Sequence, residues 1–377
     1  MDERNQKSRS ITNNVNFEIT ISFDNSVSEE ILEPQQIQYH ATAKNKDLVS
    51  IKTDEIFIKG SRNETKAFES LKEWKDLWKF YSSSIYDDIL KSLVFYQLKE
   101  IITPKITQIT IILNEDKENP IVESNEKIAY FQNVNKKIVL DNIFINCEKI
   151  FEFGKKGNAY LNSAFYWIQS KYEKNKFYEF ERLWRSFNGL YNYSTNGTSD
   201  AKGLEKVIGI ISANKELFSE SLSKLKKLPF DNFRWSAMIL NYETRKDRKI
   251  KNNKTEYENL ISLFSKEEVE RIIEQLDKED YDNDKFKKMT EFYKAIENNK
   301  ATVEEEKWLN LFLRYYIYFV RCSFFHGGKN DAKYNLFTVS RYDNELEFIN
   351  KYLSCLICEC LNAFEKLDPK NNKKGAK

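Results

Sequence analysis

Histidine is almost missing from this chain: two residues, His40 and His326, among 377. Neither sits in a cluster of metal-ligand spacing, and no cofactor or metal is expected. Glycine (10) and proline (5) are also scarce, which excludes a turn-rich architecture and points to regular structure, chiefly helix. The five cysteines, Cys147, Cys322, Cys355, Cys358 and Cys360, are odd in number, and three crowd one apolar segment. That argues against the disulfide framework of a secreted domain. The first thirty residues, from MDERNQKSRS, carry no apolar signal core, and the most apolar stretch, LNLFLRYYIYFVRCSFF (309–325), is interrupted by Arg314 and Arg321 and is too short to span a bilayer. A soluble cytoplasmic protein with no membrane segment is expected. Charge of one sign is lacking as well: 31% of residues are charged, yet the formal net charge is +2, which excludes a wholly basic nucleic-acid binder and leaves room for a local basic site.

What is present falls into two regimes meeting near residue 150. Before it, β-like runs recur at 15–23, 55–60, 106–113 and 136–145, and Phe17, Ile19, Ile21 and Phe23 alternate with the period of a half-buried strand. A helical spacing fills 67–102 between them. The fold class expected is α+β: a mixed α/β domain over 1–152, suited to sensing or regulation, then an all-α bundle over 158–366. FGKKGN (153–158) is the plausible junction, and 367–377 is a basic tail. Within the second half, Phe177, Phe180, Leu183, Trp184, Phe187 and Leu190 make one apolar stripe, 194–200 is a loop, and a helix covers roughly 202–227. A charged insertion runs over 242–299. A helix over 302–325, with Thr302 and Glu305 at capping-box spacing, carries Leu309, Phe312, Leu313, Tyr316, Val320 and Phe324 on one face. A last helix covers roughly 344–366.

The helix at 302–325 leads into FVRCSFFHGGKND (319–331), where Arg321 precedes His326 by five positions and Gly327 and Gly328 terminate the helix. Neighbours on a helix lie three and four apart, so a five-residue offset brings the two together only if the helix ends near Phe325 and His326 swings back. A guanidinium and an imidazole converging on one spot suit phosphodiester chemistry. Arginine holds phosphate oxygens in fork geometry and stabilises developing charge, and histidine moves a proton near neutral pH. The blander explanation is a cationic cap favoured by the helix dipole.

RCSFFHGGK resembles the R-x4–6-H motif of the HEPN superfamily, in the RNxLFHGGK form of bacterial HEPN proteins, and FERLWRSFNGLYNY (180–193) is similar to the first core helix of that group. The resemblance spans roughly 158–366. It implies a compact helical bundle, metal-independent cleavage of RNA to a 2′,3′-cyclic phosphate, and a homodimer whose two motifs share a cleft. It also implies a place in antiphage or abortive-infection defence, with a phage-derived or regulatory activator acting at the N-terminal domain. Carried over by position, Arg321 and His326 are the catalytic pair. Cys322 stands where an Asn or Asp usually orients the histidine, with Ser323 the nearest substitute. Lys329, Asn188 and Arg185 are candidates for RNA binding or orientation, each with a structural alternative. Two other classes stay open: a catalytically silent HEPN module that binds RNA or a partner protein, and a HEPN toxin held in check by a nucleotidyltransferase.

Three further features are expected to be structural. Cys355, Cys358 and Cys360 lie in an apolar helix with no second ligand cluster and read as small buried hydrophobes. His40 reads as a surface or strand-packing residue. The basic run Arg245, Lys246, Arg248, Lys249, Lys251 and Lys254, flanked by Tyr242 and Tyr257, reads as a solvated face rather than an RNA track.

Overall fold

The computed structural model describes residues 14–43, 45–63, 78–100, 105–118, 120–124, 144–228, 305–325 and 343–370, together with 68, 233, 234 and 238. His326, Lys329, Thr302, the insertion at 242–299, the strand expected over most of 136–145 and the last residues of the tail lie outside them. The chain divides into two compact units, Met1–Phe165 and Tyr166–Lys377. Among the described residues no helix is long and apolar enough to cross a membrane.

The first unit is built on a six-stranded, wholly antiparallel sheet. Its strands are β1 (Asn14–Phe23), β2 (Glu30–Ile37), β3 (Asp47–Lys52), β4 (Glu55–Asn63), β5 (Ile106–Leu113) and β6 (Ile121–Ser124), in the spatial order β2-β3-β4-β1-β5-β6. β1 is central because it alternates most strictly. Val15, Phe17, Ile19, Ile21 and Phe23 are all buried, and Ile19 faces Ile58 on one side and Ile111 on the other. Each such side chain stabilises the fold by about 1.5–3 kcal/mol relative to exposure. β2 and β3 escaped the sequence reading. β2 (EILEPQQI) is polar and holds Pro34, which an edge strand tolerates, and its pairing with β3 is irregular on both sides of Leu32.

β4 and β5 flank β1 and run antiparallel to it, so the connection between them is a crossover, and it carries helix α1 (Ser84–Glu100). The single helical pattern expected over 67–102 is broken at Ser82 and Ser83. α1 packs on β3 and β4. The Tyr96 hydroxyl donates to the Thr53 carbonyl at 2.9 Å, and its ring meets Phe23 at 4.7 Å.

Helix α2 (Lys155–Ser170) begins inside the stretch expected to be a junction, and the division between the units falls within it. The second unit is helical beyond it. A separate helix, α3 (Lys176–Thr195), starts where the Asn175 side chain accepts from the Phe177 amide at 2.8 Å. α3 ends at Asn196, with φ +56°, and Gly197, with φ +81°. Glycine and asparagine bear this left-handed turn at least strain. It delivers the chain into α4 (Asp200–Ala213), and a 3-10 turn at Lys215–Phe218 leads to α5 (Ser219–Lys226).

Helix α6 runs from Glu305 to Phe325 in three parts: α-helical at Glu305–Leu309, π-helical at Asn310–Ile317 and α-helical at Tyr318–Phe325. The wider π turns explain why burial exceeds the single stripe read from the sequence. Leu311, Tyr315, Ile317 and Phe319 are buried along with the expected Leu309, Phe312, Leu313, Tyr316 and Val320. Helix α7 (Asp343–Asn362) closes the unit against α3 and α5, followed by a 3-10 turn at Phe364–Leu367.

Candidate functional site

Arg321 lies in the last turns of α6, partly buried. Its Nη1 donates to the Cys322 Sγ at 3.8 Å, and its guanidinium lies 5.7 Å from the centre of the Tyr318 ring. Two other helices hold a polar chain whose Tyr191 and Asp200 interact electrostatically with it. On α3, the Asn188 side-chain amide donates to the Tyr191 hydroxyl at 2.6 Å, and the Asn192 side-chain amide donates to Asn188 Oδ1. The Tyr191 hydroxyl in turn donates to Asp200 Oδ1, in the first turn of α4, at 3.0 Å. Tyr191 is fully buried, and the Trp184 ring lies 6.0 Å from its ring and 6.2 Å from that of Tyr318. Gly203, one turn along α4, provides the space: a Cβ there would sit 2.4 Å from Tyr191 Cδ2.

Electrostatics ties this polar chain to the arginine. Burial works against the charge on Arg321, but Cys322, Tyr318 and Asp200 outweigh it and hold the guanidinium above its ordinary value. Burial, then the Asp200 charge, push the Tyr191 phenol far above its usual range, with Arg321 pulling it back. Burial and Cys322 raise the Tyr318 phenol to about 12. Both phenols therefore keep their protons near neutral pH and act as donors.

Of the residues singled out in the sequence, Arg321, Cys322 and Asn188 belong to this neighbourhood. His326 and Lys329 lie outside the described residues. Ser323 is half-buried on the same turn of α6. Arg185 is drawn away by local partners: it pairs with Glu181 one turn back at 2.6 Å and lies over the Tyr166 ring at 5.7 Å. Tyr191, Asp200, Tyr318 and Gly203 were missed. Tyr191 follows Asn188 by three and could have been taken with it, but an acid in a first helical turn reads simply as a partner for the helix dipole.

A second polar cluster flanks the same end of α6. Tyr316 donates its hydroxyl to Glu345 of α7, and Arg234 pairs with Glu345 at 3.0 Å while its amide donates to the Tyr316 hydroxyl at 2.6 Å. The Arg234 guanidinium lies 5.4 Å from the Phe319 ring and 5.8 Å from that of Phe324. Glu345 is buried, as are Cys355, Cys358 and Cys360. Cys355 Sγ contacts Glu220 Oε2 at 3.6 Å, and burial pushes its thiol up. His40 is exposed in a turn, its Nδ1 at 3.0 Å from the Thr42 hydroxyl. Among the described residues, no group of three or more His, Cys, Asp or Glu side chains is placed to hold a metal ion.

Comparison of the chain with protein-family models, with curated proteins and with solved structures finds no match.

Proposed function

We propose that the second unit is a HEPN-type bundle and that the protein is a metal-independent endoribonuclease. The observation that carries this reading is Arg321. It is a permanently charged, partly accessible guanidinium at the end of a buried aromatic helix, in contact with the Cys322 thiol and 5.7 Å from the centre of the Tyr318 ring. RNA brings its own nucleophile. Arg321 holds the scissile phosphate and stabilises the charge that grows on it, His326 takes or gives the proton at the 2′-hydroxyl or the 5′-oxygen, and the products carry a 2′,3′-cyclic phosphate and a 5′-hydroxyl. One imidazole serves one of the two proton transfers, so a second copy of the chain supplies the other in a homodimer. The cellular role in this reading is antiphage or abortive-infection defence in the cytoplasm, with an activator acting on the first unit.

The test is RNA incubated with purified protein in EDTA, followed by analysis of the product ends. Cyclic phosphate termini are expected, and they should disappear in Arg321→Ala and His326→Ala, with a loss of at least roughly a hundredfold when the charge-stabilising group is removed. Products ending in 3′-hydroxyls, or cleavage undiminished in Arg321→Ala, would overturn the reading. The contact between Arg321 and Cys322 favours a second one, a silent module that binds RNA without cutting it, because a thiol is a weaker hydrogen-bonding partner than an amide or carboxylate. RNA binding that depends on Arg321 without any cleavage would establish it.

A further inference from the structure

We propose that the open face of the sheet in the first unit carries a binding site for a neutral, hydroxyl-rich ring: a sugar unit, whether a free glycoside or the ribose of a nucleoside. The site stands independently of the nuclease reading.

A cavity of about 600 Å³ lies over one end of the sheet, within the size range of small-ligand pockets. The strand register explains its lining. Ile112 of β5 faces Glu18 of β1, and Glu18 faces Lys59 of β4. Lys59 in turn faces Leu48 of β3, and Leu48 faces Gln36 of β2. These five residues make one row across five strands, and all five line the cavity. Side chains alternate along a strand, so Phe17, Ile58, Val49 and Ile111, each adjacent to a member of the row, are buried on the opposite face. The next row is polar: Asn16 faces Ser61, with Asn45 and Lys46 beside them at the start of β3. Glu115 reaches the same cavity from the turn after β5. That turn is tied down, because the Asn114 amide donates to the Asn16 carbonyl at 2.8 Å and Asn114 Oδ1 accepts from the Asn16 amide at 3.1 Å.

Charge selects the kind of ligand. Lys59 Nζ lies 2.7 Å from Glu18 Oε1, and Lys46 and Glu115, both exposed, add one charge of each sign. A phosphate approaching Lys59 therefore meets a carboxylate already on the same ammonium, and a cation approaching Glu18 meets Lys59. A neutral ligand escapes both penalties. Hydrogen bonding selects further. The Asn16, Gln36 and Asn45 carboxamides and the Ser61 hydroxyl both donate and accept, while the ion pair keeps acceptor capacity on its carboxylate and donors on its ammonium. Adjacent ring hydroxyls, each donor and acceptor at once, match that lining. Leu48 and Ile112, half-buried at either side of the ion pair, offer aliphatic surface to the C–H face of such a ring. The row holds no aromatic side chain on which a nucleobase could stack, which favours the sugar over the base.

Ligand-observed NMR titration of the full chain tests this, with methyl α-D-glucoside, methyl α-D-mannoside, N-acetylglucosamine, adenosine, uridine and inorganic phosphate as probes. At least one neutral probe should bind saturably, with a Kd of roughly 1–10 mM for so small a ligand, and phosphate should not compete with it. Binding of a glycoside identifies free sugar as the source, and nucleoside binding that is lost in the 2′,3′-dideoxy form identifies a ribose. Glu18→Gln should weaken the neutral probe about tenfold or more, since an ionised acceptor becomes a neutral one. The same variant should let phosphate compete, because Lys59 loses its counter-charge. Gln36→Ala, on an edge strand away from the ion pair, should weaken binding roughly two- to tenfold, and it decides the matter if Glu18→Gln fails to fold. Saturable phosphate binding by the wild type would overturn the proposal, as would nucleoside binding undiminished without the 2′ and 3′ hydroxyls. It fails equally if no neutral probe saturates, or if binding is unchanged in both variants, which would put the probe elsewhere.

Discussion

Arg62 and Arg321 are each held near aspartate, yet they occupy opposite regimes. In the first unit Arg62 is buried and met by two buried carboxylates, Asp47 and Asp88, the latter at 2.9 Å, while the Tyr39 ring lies 3.8 Å from its guanidinium and the Ser84 hydroxyl accepts from it. Lys91, also buried, stands 4.0 Å from Asp88 and makes the group two cations against two anions. Burial pulls the Arg62 guanidinium below its usual value even with Asp88 opposing, whereas Arg321 is held above its own. A sealed cluster of opposed charges joins β3, β4 and α1. Arg321 is partly accessible instead, its guanidinium beside the Cys322 thiol and the Tyr318 ring. What separates a structural arginine from a candidate functional one here is burial, more than whether it is paired.

The sharpest way to break this contrast is to remove Arg62. Arg62→Ala leaves Asp47 and Asp88 buried without their cation, and breaking one side of a buried ion pair destabilises by about 3–5 kcal/mol. Urea unfolding should show that loss in the first unit, and Arg321→Ala should leave the same transition within about 0.5 kcal/mol, as a partly accessible group does. Equal destabilisation by the two would erase the distinction. Gly60 belongs to the same test. A Cβ at that position would lie 2.2 Å from Asp47 Oδ1, so Gly60→Ala should also unfold the cluster, by roughly 1–3 kcal/mol for overpacking.

Glu345 is buried like Asp88 and, like it, pairs with an arginine that lies over aromatic rings. Burial raises its carboxyl above the ordinary 4.5, although Arg234 and Tyr316 oppose the shift. The folded chain therefore holds this proton more tightly than the unfolded chain does. The stabilisation is complete below 4.5 and is lost as pH rises from there through the raised folded value. Glu345→Gln should flatten the pH dependence of unfolding in that window relative to wild type, and a parallel displacement with unchanged slope would contradict the assignment. Tyr316→Phe, which takes away a donor from the buried carboxylate, should lower stability at neutral pH by about 1–3 kcal/mol.

These clusters also show where a sequence is legible. Period-two alternation found β1, β4 and β5, whose buried residues are aliphatic or aromatic apart from Arg62 near the end of β4, and it passed over β2 and β3, whose faces mix Asp47, Pro34 and glutamines with apolar residues. Helical spacing found α3, α6 and α7, but it could not see the break that separates α4 from α5, since apolar spacing continues across Asn214. The π segment of α6 was equally hidden: Leu311, Tyr315 and Ile317 are apolar and read as surplus to the stripe until the wider turns bury them. At the site, the local grammar of RCSFFHGGK marks Arg321, whereas Tyr191 and Asp200 meet each other only because a left-handed turn at Asn196 leads α3 into α4. Nothing within ten residues of Arg321 announces them.

Arg185 offers the finest division between the two kinds of arginine. It is about half exposed and already engaged: Glu181 lies one turn back at 2.6 Å, and the Tyr166 ring shares its charge. An exposed i,i+4 pair of this kind is worth about 0.3–0.5 kcal/mol, so Arg185→Ala should barely move the unfolding midpoint. Its value is as a probe of where RNA runs. If the strand crosses α3 alongside Asn188, removing one phosphate contact should shallow the salt dependence of RNA binding by a slope of about 0.7 per contact for a single strand. If the slope is unchanged, Arg185 serves α3 and α2 alone, and the anion-binding surface is confined to the Arg321 end of α6.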